Sequence, residues 1–128
     1  MDENLPPSLA RGLNALFAGE HEVVALRDRY NRAGVTDEEW ISDLGSEGGW
    51  SVLSGDIRIA KKKPSRALVL QANLVGFFPT KGVLDMPLNR QAARILLVWP
   101  QMVQLVGLSG RGVYEIGPTS SKLRQISM

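Results

Sequence analysis

Trp50-Ser51-Val52-Leu53-Ser54-Gly55-Asp56 is the stretch on which the fold turns, because an apolar run ends there in a small turn that carries an acid. Trp50 to Leu53 reads as a strand, Ser54-Gly55 as the turn, and Asp56 is delivered just beyond the strand's carboxyl end. In open α/β sheets ligands gather at that end.

The flanking segments alternate in the same way. Toward the amino terminus, Thr36 and Glu39 form a capping-box pattern for a helix carrying Trp40, Ile41 and Leu44, closed by Gly48-Gly49. Before it, Leu5, Leu9, Leu13, Leu16 and Phe17 follow helical spacing behind Pro6-Pro7, with Gly19 as a stop. His21 to Leu26 reads as a short strand, and a polar, arginine-rich loop runs on to Gly34. Toward the carboxyl terminus, Arg58 to Lys63 reads as a short helical piece. Pro64 then opens a helix through Ala67, Leu68, Leu70 and Ala72 that ends at Asn73. Leu74 to Phe78 is the next strand, ended by Pro79. Pro87 starts the longest helix, with Leu88, Ala92, Ile95, Leu96 and Trp99 on one side and a break or kink at Pro100. Gly110 to Gly112 is a turn, and Val113 to Ile116 a late edge strand. This alternation predicts an α/β fold, a three-layer arrangement of a parallel sheet flanked by helices, within one domain spanning 1–128.

Composition narrows the chemistry. A chain of 128 residues has room for one continuous core. It holds no cysteine and one histidine, which excludes disulfides and thiol catalysis and leaves carboxylate oxygen as the main reactive group. Oxygen-only ligands suit Mg²⁺ or Mn²⁺ rather than zinc. The start, Met1-Asp2-Glu3-Asn4, lacks the basic and apolar segments of a secretory signal, and the apolar stretch Ile95 to Trp99 is too short to cross a bilayer. The expectation is a soluble, cytoplasmic protein with no membrane partner.

Charge is split along the chain. Residues 1–56 carry four bases against eleven acids, a net −7, and residues 57–128 carry eleven bases against two acids, a net +9. One surface holding both would bind a metal ion and a polyanion together; separate surfaces would simply be solvated.

Asp2, Asp37 and Asp56 each stand where an element begins or ends. Carboxylates brought within about 4–6 Å of one another repel unless a cation neutralises them. Each also has a structural reading. Asp37, Glu38 and Glu39 suit the positive end of a helix dipole, and Asp56 suits the cap of a strand-to-helix turn. Lys61 to Lys63 fit a solvated run, His21 a surface position, Trp40 and Trp50 the core, and Trp99 either core or a partner surface.

Asp2-Glu3-Asn4-Leu5-Pro6, the leucine-rich helix after it, Gly19-Glu20-His21-Glu22-Val23-Val24, Val35-Thr36-Asp37-Glu38-Glu39-Trp40 and Val52-Leu53-Ser54-Gly55-Asp56 together resemble the PIN-like nucleases, among them bacterial VapC-like toxins. The similarity covers roughly residues 2–80 and lies in the succession of the pieces; residues 86–128 add the late helix and strand. The resemblance implies a small α/β domain whose clustered acids hold Mg²⁺ or Mn²⁺ and hydrolyse RNA phosphodiesters. It implies a toxin neutralised by a cognate antitoxin, often as a homodimer. Position by position, it assigns metal binding and catalysis to Asp2, Asp37 and Asp56, with Glu3, Asn4 and Glu38 in support. Arg58, Lys61, Lys62, Lys63 and Arg66 then meet the RNA backbone.

The chain departs from the family pattern in two places. Family members usually carry several apolar residues before the Asp-Glu-Asn motif as a first, central strand, whereas Met1 alone precedes it here. Asp2 is accordingly expected to be weakly fixed. A fourth acid is also missing where Lys61 to Arg66 stands, which points to an alternative: a catalytically weak or inactive relative that binds RNA or an antitoxin. Asp2-Glu3 with Asp56 is also similar to phosphoacceptor receiver domains. That fold needs a Ser or Thr and a Lys ending two successive strands, and adjacent Thr80 and Lys81 cannot fill both places.

Overall fold

A computed structural model describes residues 5–25, 29–30, 35–56, 59 and 62–126. In chain order its elements are α1 (Pro7–Leu16), α2 (Asp37–Glu47), β1 (Val52–Leu53), α3 (Lys63–Gln71), β2 (Val75–Pro79), α4 (Lys81–Leu84), α5 (Leu88–Ser109), β3 (Gly112–Ile116) and β4 (Arg124–Gln125). The four strands of the described sheet lie in the order β1-β2-β3-β4. β1 runs parallel to β2, with Val52 opposite Gly76 and Leu53 opposite Phe77. β2 runs parallel to β3 from Val75 opposite Gly112 to Pro79 opposite Ile116. β4 returns antiparallel, with Tyr114 opposite Gln125.

β2 is buried along its whole length, as a strand covered on both faces must be. Successive residues point to opposite faces, so Phe77 and Phe78 feed separate cores. On one face α1 and α5 bring Leu9, Leu13, Ile95 and Val98 against Leu53, Phe77 and Ile116. On the other, α2 and α3 bring Trp40, Ile41, Leu44 and Val69 against Val52, Phe78 and Val113. Gly76 allows the second packing, since a Cβ there would lie 2.7 Å from a ring carbon of Phe78.

Most helix boundaries follow the sequence signals. Thr36 caps α2, its hydroxyl accepting the Glu39 N–H at 3.2 Å. Asn73 turns left-handed (φ 57°) just past α3, and Gly110 (φ 70°) does the same after α5.

Several expectations are corrected. α5 continues through Pro100 to Ser109 without ending. Pro100 is exposed, whereas Ile95, Val98 and Met102 on either side of it are buried in one core, so packing of the inner face offsets the roughly 3 kcal/mol that an interior proline costs. Val113 to Ile116 is not an edge strand: β3 is flanked by β2 and β4, and β4 was missed because two exposed polar residues leave no apolar signature. The sheet is therefore mostly rather than wholly parallel. Residues 21–25 join no ladder among the described residues; the Val23 N–H instead donates to Asn14 Oδ1 on α1 at 2.9 Å. Of Trp50 to Leu53 only the last two pair as a strand. The short α4 went unread, its Lys81 and Asp85 joined at 2.8 Å across one turn. The helical piece expected at Arg58 to Lys63 falls mostly outside the described residues.

Candidate active site

β1 carries the chain to the carboxyl end of the sheet, where backbone and hydroxyl bonds fix the turn that follows. The Ser54 N–H donates to the Phe77 carbonyl at 3.0 Å, extending the ladder by one residue. Ser54 is wholly buried, and its hydroxyl accepts the Asp56 N–H at 3.0 Å, a serine bond across two residues. The Asp56 carbonyl then accepts the N–H of buried Ile59 at 3.1 Å. Asp56 is thus held on both sides, with only 8% of its surface exposed. A charged group so withdrawn from water requires compensation by cations or hydrogen-bond donors.

Asp37 is placed differently. It is exposed at the first position of α2, and its Oδ1 accepts the Trp40 indole N–H at 3.0 Å. One carboxylate oxygen therefore steers a core tryptophan, and the charge also suits the helix dipole. Glu38 is exposed beside it. Lys62 and Lys63 are exposed at the opening of α3, while Arg66, one turn on, is buried at 8% exposure. Asp2, Glu3, Asn4, Arg58 and Lys61 lie outside the described residues. Of the three aspartates singled out from sequence, the structure positions Asp37 and Asp56, and among the described residues no three His, Asp or Glu side chains gather as a metal site.

A family model described as PIN like domain matches residues 1–81. The chain belongs to that family. The match ends just past β2, so α5, β3 and β4 lie beyond it. No curated protein and no solved structure matches the chain. PIN domains are commonly nucleases and generally use divalent metal ions, and a PIN-like domain has a nuclease-type fold. The available donors suit that chemistry: a buried carboxylate, Asp56, just past a strand's carboxyl end and an exposed one, Asp37, at a helix start, in a chain without thiolates. No helix among the described residues is long and apolar enough to cross a membrane.

A second feature, at the other end of β1, has no local signal in the sequence. A cavity of about 590 Å³ opens there, with Trp40, Trp50 and Trp99 in its wall and Glu20, Glu22 and Glu47 among its charged groups. Phe17 stacks on Trp99 with ring centres 4.4 Å apart, and exposed His21 meets the edge of Phe17 at 5.7 Å. Arg29 pairs with Glu47 and lies 5.3 Å over the Trp50 ring. That hydrogen bond holds the Glu47 carboxyl below its usual range and raises the Arg29 guanidinium. Burial, then the 2.7 Å bond donated to Asp43, pushes the Tyr30 phenol up. Helical spacing on α5 and the isolated tryptophans were the available signals, but their convergence is a property of the folded chain.

Proposed function

We propose that this PIN-like protein is a toxin-type endoribonuclease that hydrolyses RNA phosphodiester bonds with the help of Mg²⁺ or Mn²⁺. The single observation that carries this reading is buried Asp56, locked by Ser54 at the carboxyl end of β1 in a chain of this family. Asp56 and Asp37, together with Asp2, would hold the ion through their oxygens. A bound divalent ion would lower the pKa of a water and offset charge growing on the phosphate. The chain's own contribution is placement: the serine turn fixes the Asp56 backbone, and Trp40 fixes the rotamer of Asp37. Exposed Lys62 and Lys63 supply charge for the phosphate backbone without reading base sequence. The RNA substrate, a cognate antitoxin, a homodimer and a cytoplasmic setting belong to the same proposal.

The test is cleavage of an end-labelled single-stranded RNA by the purified chain in Mn²⁺ or Mg²⁺, repeated with chelator and with Asp56→Asn. Metal-dependent cutting that the substitution removes is the expected result. RNA binding without cutting in any metal would instead favour the inactive-relative reading, which the Lys61 to Arg66 run in place of a fourth acid supports.

A further inference from the structure

The part of the chain beyond the family match builds a loop at the same end of the sheet as Asp56. Because β1, β2 and β3 are parallel, the segment that leaves β3 at Ile116 emerges at the carboxyl end, two strand spacings or about 10 Å from the end of β1. Gly117-Pro118-Thr119-Ser120-Ser121-Lys122 follows, exposed from Pro118 onward. Arg94 on α5 holds it from beneath, donating from Nε to the Gly117 carbonyl at 3.0 Å and from a terminal nitrogen to the Ser120 carbonyl. Gln101, on the same side of that helix, donates to the Ser121 carbonyl and accepts the Leu123 N–H at 3.1 Å. Pro118 packs against α4, where a Cβ at Gly82 would lie 3.2 Å from its ring.

Drawing carbonyls inward turns amide hydrogens outward. The Ser120 carbonyl points at Arg94, and across a planar trans peptide the Ser121 N–H therefore points the opposite way, away from α5. Among the described residues the N–H groups of Thr119, Ser120 and Ser121 have no acceptor. The Lys122 N–H is instead taken by Ser120 Oγ at 3.1 Å, and that hydroxyl donates on to the Lys122 carbonyl at 3.0 Å, which pins the lysine backbone. Positive charge surrounds these free donors. Lys122 and Arg124 are exposed, as is Arg90, one turn before Arg94 on α5, and none of the three forms an ion pair among the described residues. Of the acids beyond Asp56 at this end, Asp85 is already paired with Lys81 and Glu115 lies half-buried within β3.

We propose that loop 117–122 is a phosphate-binding subsite for the RNA backbone, holding a phosphate a nucleotide or two along the strand from the one cut at Asp56. The inference rests on RNA being the substrate of the acidic site. Outward N–H groups and a lysine recognise phosphate oxygens without reading a base. The separation of about 10 Å between the ends of β1 and β3 lets one strand of RNA touch both places while it crosses the carboxyl end of the sheet. Gripping a neighbouring phosphate restrains the scissile one, so the loop contributes orientation rather than bond breaking. The uneven charge of the chain then has a use. Acids of residues 1–56 supply ligand oxygens, and bases of residues 57–128 hold the polyanion beside them.

The test titrates a short fluorescein-labelled single-stranded RNA with the whole chain in chelator, read by anisotropy at several salt concentrations, beside cleavage of the same RNA in Mn²⁺. Lys122→Gln should weaken binding about threefold and flatten the dependence of log Kd on log salt by about 0.7, the share of one phosphate contact on a single strand. Ser121→Asp, which sets a carboxylate among the free donors, should weaken binding at least about tenfold. Arg111→Gln lowers the net charge equally but lies at the amino end of β3, and it should change neither quantity. All three positions are exposed, so melting temperatures should match wild type. The amide resonances of Thr119, Ser120 and Ser121 should shift when RNA is added. Equal effects of Lys122→Gln and Arg111→Gln, or unmoved amides at 119–121, overturn the subsite, and cleavage by wild type then leaves the nuclease reading standing. Binding through the loop with no cleavage in any metal removes the nuclease reading and keeps the subsite. Absence of RNA binding in chelator overturns the subsite whether or not Mn²⁺ supports cutting.

Discussion

The two ends of β1 are built on opposite principles. At the carboxyl end, three bonds tie down the chain just past the ladder: Ser54 to Phe77, Asp56 to Ser54, Ile59 to Asp56. At the amino end the same strand borders a cavity walled by large rings, with Glu20, Glu22 and the Arg29–Glu47 pair among its charged groups. Chemistry on a phosphate demands a charge held still, which close hydrogen bonding achieves.

β2, which pairs with β1 between its two ends, offers the severest way to break the contrast. Phe77→Ala removes a ring that is 1% exposed, lines the cavity and faces the α1–α5 core. A loss of about 3–5 kcal/mol is expected, seen as a lower midpoint in urea, with both ends lost in one transition. If the amino end alone loosened, the ends would be energetically separate.

Asp56→Asn separates the ends by function. RNA cleavage should fall by at least about 100-fold, about 2.7 kcal/mol in activation free energy, in a variant that still unfolds cooperatively. Trp50→Ala at the other end should leave the cleavage rate unchanged. A parallel loss in both variants would erase the distinction.

A smaller effect comes from the opening of α2. Thr36→Ala deletes the hydroxyl that accepts the Glu39 N–H and should cost about 1 kcal/mol by chemical denaturation. Because Asp37 follows immediately, any accompanying loss of cleavage would measure how far that carboxylate depends on the cap.

The smallest expected effect is the pH response of the Arg29–Glu47 pair. The folded pKa of Glu47 is depressed, so the pair's stabilisation is present above the unfolded glutamate pKa and disappears as pH falls through the lower folded value. The pair is exposed, and salt should weaken it further. Melting curves from about pH 6 down to about pH 3 should show wild type losing a slight advantage over Glu47→Gln; an advantage that grew toward acid would contradict this sign.

Legibility in the sequence followed locality. The Thr36 cap, the Asn73 stop, buried β2 and the acid turn at Ser54-Gly55-Asp56 each depend on neighbours within a few positions, and each was visible. The passage of α5 through Pro100 depends on cores assembled from distant segments, which outweigh a local breaker. β4 owes its existence to pairing with β3 rather than to its own Arg124-Gln125. At the candidate site, Asp56 and Asp37 were found as residue types at element ends. That one is buried and the other turned to an indole is settled by packing, which spacing along the chain does not encode.

β4 also makes the sheet asymmetric in how it can grow. Its two exposed residues, one of them cationic, form the blunt, short margin that discourages a neighbouring molecule from continuing the hydrogen-bond pattern. On that side the described sheet offers a poor template for edge-to-edge aggregation.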